Sequence, residues 1–439
     1  MTDLGSSSLK INRALWVLVT LLPIIIIPVK GVPDIFNAAK APILVLGASY
    51  IIFHLIKIRR FKITSITLAL LVYLCFVFIA SLAAYKPLLA LSGVSLSAGR
   101  FEGFLTLFFY AVLFYAAKEH MRLSQNNIKF FLCAQAFVAL YAIAQFFKMD
   151  PLVEYLHYTK GSYATIGNQN FLASWSLLML VIAVGFYMQY RKVIYVIFPI
   201  LFFGALLASN TRGAWISLIS VGLASLYFLR FSAIRRYHIT AFISFLLVFL
   251  TMNFLSESKI QQRTKTIKSE LNIKNEWAGS GRALIWKMSF DIIDEHPFCG
   301  AGPENLKEAL KQTKNKRSKA YRKLTGHTVD KSHNEFIHIA AVSGLPALFA
   351  YLIFLTLIFK QNIHNIFHLS AKSVIAFAVL AYIIQSLFNI SVIAVAPLFW
   401  VLLGILSSQR KELWTTMVLR VQLVYQKTEK SFLLNHIPK

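Results

Sequence analysis

The chain is 439 residues long, 57% hydrophobic and only 14% charged, with a mean hydropathy of +0.62. That balance excludes an ordinary soluble protein, which needs far more polar surface. Repeated apolar runs near the ~20 residues that cross a bilayer make it a polytopic membrane protein. Formal net charge is +27, from 45 Lys and Arg against 18 Asp and Glu. Basic patches interleaved with aromatics are missing, so the excess reads as span-flanking charge beside anionic headgroups, not as a nucleic-acid surface.

Twelve spans are expected, at 14–30, 41–56, 63–84, 103–117, 130–147, 169–190, 193–208, 214–229, 239–255, 334–359, 374–391 and 392–408. The first follows Lys10 and Arg13 as a signal peptide would. It contains Pro23 and Pro28, lacks a small-residue cleavage site and precedes many more spans, so it reads as retained. With the N-terminus in the cytoplasm, inner segments and the tail carry 22 Lys and Arg, and the short outer connectors carry seven. The remaining 16 lie in the long segment between the ninth and tenth spans, which the positive-inside rule exempts. Both termini are therefore expected inside, with the long segment extracytoplasmic.

Cys75 and Cys133 lie in apolar runs and Cys299 in the long segment, which leaves no evident disulfide partner and no metal-spaced pair. After the last span, Leu413, Trp414, Met417, Val418, Val421 and Val424 recur at helical spacing, as in an interfacial helix on the inner leaflet. The organisation expected is 1–255 with nine spans, 256–333 as an outer cap, 334–408 with three spans, and a cytoplasmic tail at 409–439.

The cap segment begins with a Lys-rich arm, passes Gly279-Ser280-Gly281-Arg282 into a helix from Ala283 to Glu295, and turns at His296-Pro297-Phe298-Cys299-Gly300-Ala301-Gly302-Pro303. A basic run, Lys311 to Lys323, then leads to Ser332-His333-Asn334-Glu335. Connectors this long are uncommon unless functional or disordered, and this one is punctuated and periodic.

On the same expected face lies the very short turn Ser209-Asn210-Thr211-Arg212-Gly213. An arginine there suits snorkelling to headgroups, but a guanidinium grouped with amide and hydroxyl donors also suits a phosphate. Arg100, in Gly99-Arg100-Phe101-Glu102-Gly103, either pairs with Glu102 or adds to an anion site. Asn168, Gln169 and Asn170 open the sixth span, as helix caps or as binders of sugar hydroxyls. Arg282 opens the cap helix behind a Gly-Ser-Gly lead that exposes anion-favouring N–H groups, and solvated surface arginine is the plain alternative. His333 stands where the cap re-enters the membrane and has the side chain suited to proton transfer near neutrality. His327, His296 and His157 compete with it. Outer carboxylates show no metal spacing, so no metal or other cofactor is expected.

Four stretches together resemble the O-antigen ligase and O-antigen polymerase superfamily, which includes protein O-oligosaccharyltransferases. They are Gly99-Arg100-Phe101-Glu102-Gly103; Ser209 to Ala214; Gly281-Arg282 through Trp286 to Gly302; and Ser332-His333-Asn334-Glu335 running into Gly344-Leu345-Pro346. The resemblance spans roughly 160–400. It implies an all-α, GT-C-like membrane glycosyltransferase of about twelve helices whose donor is a glycan on undecaprenyl pyrophosphate. It also implies that Arg212 and Arg282 hold the pyrophosphate and His333 activates the acceptor. Arg100, Asn210, Gln169 and Asn334 complete the expected binding set.

The expected activity is metal-independent, inverting transfer to an acceptor hydroxyl at the outer face of the inner (cytoplasmic) membrane. The acceptor is a glycolipid, a glycan repeat or a protein. Repeat-unit polymerase and protein O-oligosaccharyltransferase are the alternatives within this chemistry, and a polysaccharide transporter or flippase is the alternative outside it. A flippase reading lacks support from mid-membrane charges or inverted repeats.

Overall fold

Inside a bilayer the backbone must satisfy its own hydrogen bonds, so apolar runs of span length become helices. A computed structural model describes residues 2–28, 34–94, 101–150, 161–228, 235–257, 260–261, 281–367 and 369–409, and builds each expected span as helix. In chain order these are α1 Thr2–Leu21, α2 Asn37–Ile58, α3 Ser65–Leu82, the short α4 Pro87–Ser92, α5 Phe104–His120, α6 Gln125–Phe146 and α7 Gln169–Tyr190. A 3-10 turn, Val193–Val196, leads into α8 Ile197–Ala208, followed by α9 Arg212–Phe228 and α10 Arg235–Leu255. The cap supplies α11 Arg282–Glu295, α12 Leu306–Gln312 and α13 Lys316–Thr325, before α14 Glu335–Asn362, α15 Ala371–Ser386 and α16 Ala396–Ser407. Among the described residues, α2, α3, α6, α7 and α14 are each long and apolar enough to span a membrane, and shorter apolar helices accompany them. The protein is an all-helical, polytopic membrane protein. The Lys-rich arm at 262–280, His157, Arg100 and the expected interfacial helix of the tail lie outside the described residues.

The first span differs from its expected bounds of 14–30. Pro23 lacks an N–H and its ring excludes a regular helix through the preceding turn, so α1 stops at Leu21 and runs instead through polar residues from Thr2. That polar end is packed between neighbours: Ser7 Oγ lies 3.3 Å from His54 Nδ1 of α2, and Asn12 Oδ1 accepts from the Arg122 N–H at 2.8 Å.

Packing of α14 along α3, and of α16 along α5, builds one half of the bundle; α7 lies between α8 and α15, with α9 on α15. Phe354 sits at the centre of the first half, edge-on to Phe114 and stacked on Trp400. Lys40, counted among the outer cations in the sequence, is fully buried in α2. Its ammonium donates to the carbonyls of Ile25, Phe36 and Thr165 at 2.8, 2.7 and 2.9 Å, fastening the chain around the start of α7.

The long helix α14 is broken at Gly344, whose φ of 85° and ψ of 164° leave the helical region. Only glycine adopts that conformation without strain, and Pro346 removes a further intrahelical bond. The break frees backbone groups that the cap turn then satisfies. Ala301 N–H donates to Ala341 O at 2.9 Å, Gly302 N–H to Val342 O at 2.8 Å, and Leu345 N–H to Pro297 O at 2.8 Å. A Cβ on Gly344 would collide with the Phe298 carbonyl. Leu284, Met288 and Ile292 of α11 and Leu306 of α12 form an apolar core against Ala340–Val342 of α14. The cap is therefore bonded to the bundle at the N-terminal half of α14.

Candidate active site

Three helices that carry expected site residues, α7, α9 and α14, begin at the cap end, and the connector between α15 and α16 joins their N-termini. Thr211 Oγ1 lies 3.3 Å from Gln169 O, and Asn389 Nδ2 donates to Asn170 O at 3.0 Å and to Ser174 Oγ at 2.8 Å. The Ser391 N–H donates to Glu335 Oε2 at 2.6 Å. Gly213, beside Arg212, approaches Phe388 and the Gln385 carboxamide so closely that a Cβ there would press on both. Arg212, Gln169 and the Asn334-Glu335 start of α14 thus belong to one connected end of the bundle. The positive ends of the helix dipoles gather there, which favours an anion, although the side chains of Asn168 and Asn334 already accept from first-turn N–H groups of α7 and α14.

Arg212 is the first residue of α9 and half-buried; Asn210, two residues before it, sits in the left-handed region at φ 53°. Around Arg212 several buried polar atoms lack hydrogen-bond partners: Asn210 Oδ1, Trp215 Nε1, Asn389 Oδ1 and both polar atoms of the Gln385 carboxamide. Native interiors leave few such atoms unsatisfied. Carboxamides supply both donors and acceptors, which is what recognition of hydroxyl groups requires.

The second half of the site comes from the cap. Gly281, at φ 80°, turns the chain into α11, which Arg282 opens. Ser289 Oγ, seven residues on, donates to Ser332 Oγ at 2.9 Å, and Ser332 Oγ lies 3.4 Å from His338 Nδ1. Seven residues make nearly two turns, so Arg282 shares the Ser289 face, displaced by about 10 Å along the axis. His333 follows Ser332 with φ 50°, a left-handed conformation that histidine tolerates better than most residues. Asn334 then caps α14, its Oδ1 accepting from the N–H groups of Phe336 and Ile337 at 3.0 and 3.1 Å. That acceptor, expected to meet substrate, is engaged by the helix. His296, a competing histidine, has its Nε2 2.8 Å from the Tyr85 hydroxyl. His327 is exposed.

Reasoning from sequence missed a charged cluster beside His333. Lys331 and Glu304 form a buried ion pair at 2.6 Å. Glu102 is also buried, and the Tyr110 hydroxyl donates to its Oε1 at 2.7 Å. Burial pushes the Glu102 carboxyl up to about 8; the Tyr110 hydrogen bond and Lys331 oppose that rise, while Glu335 and Glu304 add to it. These mutual effects place Glu102, Glu304, Lys331 and Glu335 in one electrostatic neighbourhood. Sequence separation hid it, because the four come from the starts of α5, α12 and α14. The SHNE motif was the available signal, since a lysine two residues before the histidine needs a counter-charge wherever it is buried.

Because folding favours the protonated acid, Glu102 contributes stability below the ordinary glutamate value of 4.5, and that contribution is lost as pH rises through about 8. Glu102→Gln keeps the acceptor for Tyr110 and cannot ionise. Thermal melts in detergent from pH 5 to 9 should therefore fall less steeply with pH for the variant than for the wild type. Parallel curves would refute the assignment.

Residues 197–352, from α8 through the break in α14, match the family model described as O-antigen ligase. Over that stretch, about a third of its length, the chain is similar to the O-antigen ligase family. The matched segment contains Arg212, Arg282, Glu304, Lys331 and His333, and leaves Gln169, Glu102 and Gln385 outside it. No curated protein matches the chain.

Proposed function

We propose that this protein transfers a glycan from undecaprenyl pyrophosphate to an acceptor hydroxyl at the extracytoplasmic face of the cytoplasmic membrane. The observation that carries the reading is the joining of the α7, α9 and α14 N-termini through the α15–α16 connector. That junction puts Arg212 and the histidine-bearing strand at one end of the bundle. Arg212 and Arg282 hold the diphosphate. The acceptor oxygen attacks the anomeric carbon as its bond to the diphosphate oxygen breaks. The diphosphate leaves with the electron pair, and His333 takes the hydroxyl proton. Displacement from the opposite side inverts the anomeric centre. Guanidinium groups fixed before reaction stabilise the charge that gathers on the leaving group. Cationic side chains provide this without a metal, so turnover is expected to persist in EDTA. Gln169, Asn210 and Arg100 belong to the same proposed donor site, with the carboxamides toward sugar hydroxyls.

The test is purified protein in detergent, with no ion gradient, given lipid-pyrophosphate glycan and acceptor. Release of undecaprenyl pyrophosphate with formation of a new glycoside is expected, and an intact donor would overturn the proposal in favour of transport. In cells lacking the gene, accumulation of full-length lipid-linked chains indicates a ligase, whereas accumulation of single repeats indicates a polymerase.

A further inference from the structure

Two charges are buried next to His333 without being required for any step above. The Lys331 side chain is 3% exposed and that of Glu304 is 8% exposed, with Nζ and Oε1 2.6 Å apart. Removing two charges from water is costly, and well-packed hydrophobic residues of similar volume are often as stabilising as a buried pair. Retaining the pair therefore points to a role in placing the chain.

Its location identifies what it places. Glu304 follows Gly302-Pro303, the end of the turn bonded to the broken helix α14 through Ala301 and Gly302. The next residue, Asn305, accepts from the Lys86 N–H at 2.9 Å, and Lys86 Nζ meets Glu308 at 3.0 Å. The carboxylate of Glu304 is consequently mounted on a segment anchored to α14 and to the α3–α4 connection. Lys331 lies two residues before His333. On the other side of the histidine, Asn334 caps α14 and Glu335 receives the Ser391 N–H. Ser332 is held by Ser289. The imidazole is thus carried on a left-handed residue between two fixed points, and the ion pair is the upstream one.

We infer that Glu304 and Lys331 are positioning residues that set the His333 imidazole over the acceptor hydroxyl. The inference rests on the proposed role of His333 as proton acceptor, and the experiment separates the two. Lys331→Met combined with Glu304→Leu replaces the pair by apolar residues of similar size, which keeps the fold while freeing the strand. The double variant is expected to melt within a few degrees of wild type. Its kcat should fall ~100-fold, as displacement by about 1 Å can do, while KM changes by less than about threefold. Hydrogen exchange in the 329–336 peptide should accelerate, with the middle of α14 unchanged. Lys331→Glu combined with Glu304→Lys reverses the pair and should recover part of the lost kcat.

Wild-type kcat in the folded double variant would overturn the inference, as would a loss that merely tracks the amount of folded protein. If His333→Ala transfers glycan at the wild-type rate, the proton-acceptor reading fails instead. Exchange at 329–336 then decides the pair alone: acceleration supports its holding the strand, and no change refutes it.

Discussion

Replacing Arg212 by alanine is expected to lower glycan transfer by ~10²–10³-fold, the scale of removing one preorganised donor from a developing negative charge. Arg282→Ala is expected to do the same. Arg212 stands at the first position of α9 beside Gly213, which is pressed against Phe388 and Gln385, so its backbone has little freedom to reposition a shorter cation. Lysine at either site should recover only a small part of the loss, because an ammonium cannot reproduce the planar fork that grips two phosphate oxygens. The double replacement should cost less than the product of the single effects, since in the proposed reaction both groups serve one diphosphate. The measurement is turnover and donor KM for protein whose membrane insertion and melting match wild type. Full turnover in Arg212→Ala would remove the clamp from the mechanism. Normal binding with depressed kcat would place the guanidinium on the leaving group during bond breaking rather than on the resting donor.

Much of this architecture was legible because lipid permits few alternatives. Runs such as 169–190 and 63–84 could only become helices, and Asn168 and Thr64 cap the helices that form there. The partly helical cap and its return at Asn334 were legible from Gly281 and the His296–Gly302 turn, each a local backbone instruction, whereas 334–359 reads as one unbroken span and the break at Gly344 is seen only in the fold. The reason those motifs belong together was not legible. Only the folded chain reveals that the turn donates hydrogen bonds to carbonyls freed by the break in α14, because the pairing is between backbone groups and leaves no mark on side-chain pattern. For the same reason Gln385 and Asn389 escaped notice: inside an apolar run a carboxamide looks incidental until three helix ends meet around it. Asn334 gives its carboxamide oxygen to the first turn of α14, a cap that its place at the head of an apolar run does not distinguish from a substrate contact.

Loss of the imidazole should produce the second large effect. In the proposed reaction the acceptor hydroxyl is a poor nucleophile until its proton leaves, and a positioned general base contributes ~10²–10⁴-fold. The choice of variant matters because His333 sits at φ 50°. Alanine resists that conformation, so His333→Ala could shift the strand as well as remove the base. Asparagine and glycine both adopt the left-handed region readily and leave the route from Ser332 to Asn334 intact. His333→Asn and His333→Gly are therefore expected to insert, melt and bind donor as wild type does, with kcat reduced by ~10²–10⁴-fold and donor KM nearly unchanged. Glycine also leaves room where the ring stood, so added imidazole should restore part of the turnover in His333→Gly and none in Arg212→Ala. Rescue confined to the glycine variant would separate proton transfer from charge stabilisation, because a diffusible base can replace the ring but cannot replace a fixed guanidinium. A His333→Asn protein with undiminished kcat would show that the acceptor loses its proton elsewhere. Glu102 and Glu335, which share the Lys331 neighbourhood with its ion-pair partner Glu304, would then be the next side chains to replace.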